Sequence, residues 1–166
     1  SAQFRTSLQI ARILNSPKES VDGRVQVYQN IALLKAPAGA GKTSVVLPLA
    51  TQLSGLEAGA IYTAAPYAPG AKAIATSTST AAKTVTELVE DLKNDNISED
   101  VKVIVVDEIT TLSYDALHAL AGAFTAFLNR NQERSIKMVG MYDPLQVNES
   151  DNGVPVLDRE FYSKGT

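Results

Sequence analysis

The sequence predicts an α/β fold, a parallel sheet sandwiched by helices. Val101 to Val106 reads Val-Lys-Val-Ile-Val-Val. A near-continuous β-branched run of this kind marks a strand buried on both faces, as in a parallel sheet. Apolar runs of strand length also alternate with segments of helical spacing, which is the pattern of βαβ units. A third observation sharpens the prediction: a glycine-rich turn joins the apolar run Ile31 to Lys35 to a helix that opens on Lys42-Thr43.

The elements follow in order. Ser7 to Leu14 has the spacing of a short amphipathic helix, with Leu8, Ile10, Ala11, Ile13 and Leu14 apolar. Asn15 to Asp22, with Pro17 and a charge cluster, reads as a loop. Ile31 to Lys35 is a short strand, and the helix after the glycine turn runs about Lys42 to Leu53. Ala58 to Ala65 reads as a second strand ended by Pro66. Pro69-Gly70 marks a turn, with Ala71 to Ile74 the start of a short helix. Thr76 to Thr80 is a Ser/Thr run, either exposed strand or loop. Ala81 to Asn94 has helical spacing through Val85, Leu88, Val89 and Leu92, and Asn94 to Asp100 is a polar loop. Val101 to Val106 is the buried strand, and Ser113 to Leu128 a helix with Ser113 as its N-cap. Ser135 to Met141 is the fourth strand.

With 166 residues, 45% of them hydrophobic, the chain is the size of one globular domain with its own core. Fifteen basic against 18 acidic residues give a net charge of −3, which is no global footprint for nucleic acid, although a local groove remains open. The absence of cysteine excludes disulfides and thiolate metal sites. The lone His118 reads as a surface or packing residue. No apolar run reaches the ~20 residues a membrane span requires, and no signal-peptide pattern opens the chain. A cytoplasmic protein without a membrane partner is the expectation.

The chemistry begins at Ala36-Pro37-Ala38-Gly39-Ala40-Gly41-Lys42-Thr43-Ser44. Strand, glycine turn, then Lys-Thr opening a helix is the arrangement of a phosphate-binding loop. The glycines let backbone N–H groups crowd a polyphosphate. Lys42 reaches the β- and γ-phosphates, and the Thr43 hydroxyl ligates Mg²⁺. The helix directs its positive end at the anion. The full pattern opens on Gly, where this chain has Ala36. A bare glycine turn would not account for Lys-Thr in register.

The second landmark is Val105-Val106-Asp107-Glu108, at the end of the buried strand. Ligands of parallel sheets gather at the carboxyl ends of strands. An acidic pair there suits a Mg²⁺-nucleotide: Asp107 holds the metal through a water, while Glu108 orients and deprotonates the attacking water. The competing reading is an acidic helix N-cap. The last strand ends in Tyr142-Asp143-Pro144-Leu145-Gln146, where an amide on a neighbouring strand could sense a γ-phosphate.

In this order and spacing, the three elements resemble the first RecA-like domain of superfamily 1 helicases, of the RecD-like or viral, phage and relaxase types. The glycine loop matches the first helicase motif and Val106-Asp107-Glu108 the second. Asp143-Pro144-Leu145-Gln146 resembles the third, although Tyr142 stands where that motif has Gly. Tyr62-Thr63-Ala64-Ala65-Pro66 through Lys72-Ala73 looks like the family's single-strand-binding motif, with Tyr67 in place of its usual Thr. Ala82-Lys83-Thr84-Val85 resembles a later element that opens a helix. Gln9 matches the upstream adenine-reading Gln.

The resemblance implies a RecA-like P-loop NTPase fold, with ATP and Mg²⁺ as cofactors. It assigns catalysis to Lys42, Glu108 and Gln146. Nucleotide contacts fall to Gln9 and to Pro37, Ala38, Gly39, Ala40, Gly41, Lys42, Thr43 and Ser44, and metal contacts to Thr43 and Asp107. Pro66, Tyr67, Lys72 and Thr84, on strand-facing loops, would grip single-stranded DNA or RNA. Tyr67 stays open between stacking on a base and packing on its own domain. The domain reading is one RecA-like ATP-binding unit over 1–166: an N-terminal helix and lead-in at 1–29, a core at 30–150 and a C-terminal extension at 151–166. Translocation requires a second RecA-like domain, which brings an arginine of a kind worth about 10³–10⁵ in rate in related enzymes. The chain is therefore expected to be part of a larger helicase, hydrolysing slowly alone. A PhoH-like ring ATPase and a non-catalytic nucleotide- or strand-binding scaffold are the competing expectations.

Overall fold

A computed structural model describes residues 31–35, 55, 57–78 and 81–142. Its elements are β1 (Ile31–Lys35), β2 (Ile61–Ala65), α1 (Ala68–Thr78), β3 (Ala82–Thr84), α2 (Val85–Lys93), β4 (Val103–Val106), α3 (Tyr114–Arg130) and β5 (Lys137–Tyr142). Short 3₁₀ turns lie at Ala58–Ala60 and Ile109–Thr111. The five strands form one sheet in the order β1-β5-β4-β2-β3, and every neighbouring pair is parallel.

Burial follows the sequence pattern. Val103, Ile104 and Val106 are fully buried and Val105 is 1% exposed, as a central parallel strand requires. On one face, Ala64, Ile104, Val106 and Met138 pack with Leu88 and Leu92 of α2 and Leu117, Leu120, Phe124 and Phe127 of α3. The spacing of those α3 residues is three or four, the period of a single apolar helix face. On the other face, α1 lays Ala71 and Ile74 against Ala65, with Ala82 alongside. A Cβ at Gly70 would stand 3.2 Å from the Ala65 Cβ, so this glycine lets α1 lie close to β2. Helices therefore cover both faces, as the fold class predicts.

Several boundaries differ from the sequence reading, each for a local reason. The strand expected from Ala58 begins at Ile61, because Ala60 N–H closes a turn on the Glu57 carbonyl at 3.0 Å. Pro69-Gly70 is not a turn but part of the first turn of α1. First-turn N–H groups have no intrahelical partner, so proline is tolerated there. The last two residues of the Ser/Thr run lie outside the described residues, and over Thr76 to Thr78 the strand-or-loop reading is overturned, because the helix continues through Thr78. Within it the Thr76 hydroxyl donates to the Lys72 carbonyl at 2.9 Å, satisfying itself on the helix. Ala82–Thr84 is a fifth strand, paired with Thr63 to Ala65, and not the start of a helix; α2 begins only after Thr84 caps it. Ser113 is the N-cap of α3, accepting from Ala116 N–H at 3.2 Å. The helices expected at Ser7 to Leu14 and after the glycine turn, the 15–22 loop, and the extensions at 1–29 and 151–166 lie outside the described residues.

Side chains lock the loops at the amino edge of the sheet. Arg130 donates to the Leu92 carbonyl at 2.9 Å and pairs with Asp95, to which Asn131 also donates at 3.0 Å. Arg134 donates to the carbonyls of Ile97 and Ser98 and lies over the Phe127 ring. These bonds hold the α2–β4 and α3–β5 connections to each other. The carboxyl edge, built differently, carries the candidate chemistry.

Candidate functional site

Parallel strands deliver all their carboxyl ends to one edge, and the connections leaving that edge build a shared crevice. The register locates those ends. Lys35, last of β1, pairs with Tyr142, last of β5. Val106, last of β4, pairs with Gly140 on one side and Ala64 on the other. Ala65, last of β2, pairs with Thr84, last of β3. Counted along these pairings, the five ends spread over no more than two residues. Because β1, β5 and β4 are neighbours in that order, the strand ends that precede Ala36, Asp143 and Asp107 in sequence lie next to one another. Asp143 to Gln146 and the residues Pro37, Ala38, Gly39, Ala40, Gly41, Lys42, Thr43 and Ser44 lie outside the described residues, as does Gln9.

Of the predicted nucleotide-site residues, the structure describes Asp107 and Glu108. Asp107 is 7% exposed, and its N–H donates to the Ala64 carbonyl at 2.9 Å, carrying the β4–β2 ladder one residue past the strand. Its Oδ1 accepts the Glu108 N–H at 2.9 Å. The chain then turns sharply. Glu108 has φ 48° and ψ 41°, the left-handed region, which costs a residue with a Cβ about 1–2 kcal/mol. Its carbonyl accepts twice from Thr111, from N–H at 3.0 Å and from Oγ1–H at 2.8 Å. Buried Ile109 and Thr110 root the turn in the core. The half-buried Glu108 side chain makes no cap bond to the turn, so the N-cap reading does not describe it.

Asp107 offers a hard oxygen donor at a strand end. Mg²⁺ takes one or two protein carboxylates together with substrate phosphates and waters, so the donor chemistry fits that ion. Sequence reasoning passed over Thr111. The signal was a hydroxyl residue three positions after a glutamate that leaves a strand.

The neighbouring half of the edge holds the residues expected to contact a polymer. Pro66, immediately after β2, is buried. Tyr67 is 62% exposed, so most of the residue is open to solvent. Lys72 is exposed but lies in α1 rather than in a loop. Thr84 ends β3, and its hydroxyl is engaged in a capping box. It accepts from Glu87 N–H at 3.2 Å, while Glu87 Oε1 accepts from Thr84 N–H at 3.0 Å. Burial does not reach Glu87. Its bonds from Thr84 hold the carboxyl below its usual range.

Tyr142, which replaces the glycine of the family pattern, stays in the ladder and packs against the main core. His118 is exposed on α3, its ring stacked on Tyr114 at 6.1 Å. One buried polar hub was also missed. Asp91 accepts from Tyr62 Oη at 2.6 Å, Lys83 Nζ at 2.7 Å and Asn96 Nδ2 at 3.4 Å, fastening α2 to β2 and β3. Its signal was a charged residue among Val85, Leu88 and Leu92, on the apolar face of the helix.

The comparisons with known proteins agree with this geometry. A family model described as an AAA domain matches residues 18–157, a range that includes all three motif segments. The chain belongs to that family, which is one of P-loop nucleoside triphosphatases. No curated protein matches it. Among the described residues, no helix is long and apolar enough to cross a membrane.

Proposed function

We propose that this AAA domain is the ATP-binding and ATP-hydrolysing motor domain of a cytoplasmic superfamily 1 nucleic-acid helicase of the RecD-like or viral, phage and relaxase kind. In this reading it couples hydrolysis to translocation along a single strand and to unwinding. The observation that supports the reading is the adjacency of β1, β5 and β4, with the three motif segments continuing from neighbouring strand ends.

In this account Lys42 and the backbone of Pro37 to Ser44 bind the phosphates, and Gln9 reads the base. Thr43 and Asp107 hold Mg²⁺, which supplies charge neutralisation on the phosphates. Glu108 orients the attacking water and takes its proton. Gln146, four residues after the end of β5 in sequence, senses the γ-phosphate and couples it to the polymer half of the edge. There the exposed Tyr67 offers a ring for a base, a contact worth roughly 1–3 kcal/mol, and Lys72 offers charge. Pro66 shapes the β2 exit, and Thr84 contributes through the start of α2. A second RecA-like domain supplies the arginine and the other wall of the groove, and residues 1–166 form one RecA-like unit.

The test is ATP turnover with and without single-stranded DNA and RNA, in the chain and in the full natural polypeptide, with Lys42→Ala as control. Strand-stimulated turnover that the control abolishes supports the motor and identifies its polymer. Turnover indifferent to both polymers overturns it in favour of a ring ATPase. Nucleotide binding without turnover overturns it in favour of a scaffold.

A further inference from the structure

The left-handed backbone at Glu108 has two tethers. Its N–H is held by the Asp107 carboxylate, and its carbonyl by two donors from Thr111. The Thr111 N–H bond belongs to the 3₁₀ turn and would form with almost any residue at 111. The hydroxyl bond at 2.8 Å is specific to Ser or Thr. It uses the second lone pair of a carbonyl whose direction depends on φ and ψ of Glu108. Rotating Glu108 to the right-handed or extended region would swing that carbonyl away from Thr111 and would swing the Cα–Cβ bond with it.

We infer that Thr111 is a positioning residue for hydrolysis: its hydroxyl holds Glu108 in the left-handed conformation that aims the carboxylate at the attacking water. The inference rests on Glu108 having the role assigned above. Thr111 touches no reactant, and nucleotide binding does not depend on it. One hydrogen bond of ordinary net strength shifts a two-state balance by about fivefold, which sets the upper bound of the effect on kcat. Serine retains the hydroxyl, whereas valine keeps the shape and alanine removes both.

The experiment measures single-turnover ATP hydrolysis by the full natural polypeptide carrying Thr111→Val, Thr111→Ala or Thr111→Ser, together with nucleotide affinity. It is paired with Cα and Cβ chemical shifts of Glu108 in the chain, which report the backbone state without any turnover. The expected result is a measurable loss of rate for Val and Ala, up to about fivefold. Nucleotide affinity is unchanged, the Glu108 shifts move away from left-handed values, and Thr111→Ser behaves as wild type. Wild-type rates for both Val and Ala, or Glu108 shifts that do not move, overturn the inference. Glu108→Gln separates the two levels. If it is inactive while Thr111→Val matches wild type, only the tether is wrong. If Glu108→Gln hydrolyses normally, the assigned role of Glu108 fails and the inference fails with it.

Discussion

Removing the Asp91 carboxylate should loosen α2 from β2 and β3. The Tyr62 bond, at 2.6 Å, is the largest contribution. A hydrogen bond to a charged group is worth about 1.5–3 kcal/mol, and its loss leaves the half-buried phenol unsatisfied. The Lys83 pair, at 2.7 Å, has a lysine side chain 43% exposed, which discounts it to roughly 0.5–1 kcal/mol. The Asn96 contact at 3.4 Å is long and adds little. Asp91→Ala should therefore cost about 2–4 kcal/mol, or roughly 5–15 °C in Tm for a chain of this size. Urea and thermal unfolding followed by circular dichroism read both quantities. A cost within about 0.5 kcal/mol of zero, the range of an ordinary surface change, would refute the hub.

The pH dependence carries a sign of its own. Burial raises the Asp91 carboxyl, but hydrogen bonds from Lys83 and Tyr62 and the Lys83 charge outweigh it, so the net shift is downward. A depressed folded value means that the contribution is full above the unfolded Asp value of about 3.9. It is lost as the pH falls through the folded value. The carboxylate's own part of the gap between wild type and Asp91→Ala should therefore narrow in acid. Tyr62 works on the other limb. Burial, the Asp91 bond and the charges of Asp91 and Glu87 all raise its phenol, so its contribution holds below about pH 10 and is lost above it.

Three further predictions use the same assays and a binding titration. Phe124 is fully buried between α3 and the sheet, and Phe124→Ala should cost about 3–5 kcal/mol in unfolding free energy. Thr84→Ala removes the N-cap of α2 and should cost about 1 kcal/mol, with unfolding by urea as the readout. Tyr67→Ala should leave stability within about 0.5 kcal/mol of wild type. In fluorescence anisotropy, it should weaken single-strand binding by roughly 1–3 kcal/mol.

The parts of the fold legible in the sequence were those with a strong period or an unambiguous cap. The β-branched run ending in Val106 reads as a doubly buried strand, and Ser113 before an apolar helix reads as a candidate for its N-cap; both are what the structure has. Strand β1 was readable because the glycine loop bounds it. What misled was short-range punctuation. Pro69-Gly70 is a common turn signal; here Pro69 occupies a first-turn position that needs no N–H partner, and the close approach to Ala65 accounts for Gly70. Strand β3, three residues long, has no period to detect, and it exists because β2 offers an edge. At the site, residue types were legible but backbone state was not. Asp107-Glu108 announces an acidic pair, yet nothing in those letters gives Glu108 a positive φ or ties it to Thr111. Tyr67 was undecided in sequence because exposure depends on what packs beside it.

The central claim is that the carboxyl edge above β1, β5 and β4 is the nucleotide site. Equilibrium binding of a fluorescent ATP analogue with Mg²⁺ tests it most directly, comparing wild type, Lys42→Ala and Glu108→Gln. The account predicts that Lys42→Ala loses at least about tenfold in affinity, which is about 1.4 kcal/mol, while Glu108→Gln binds as wild type. Undiminished binding by Lys42→Ala would contradict it.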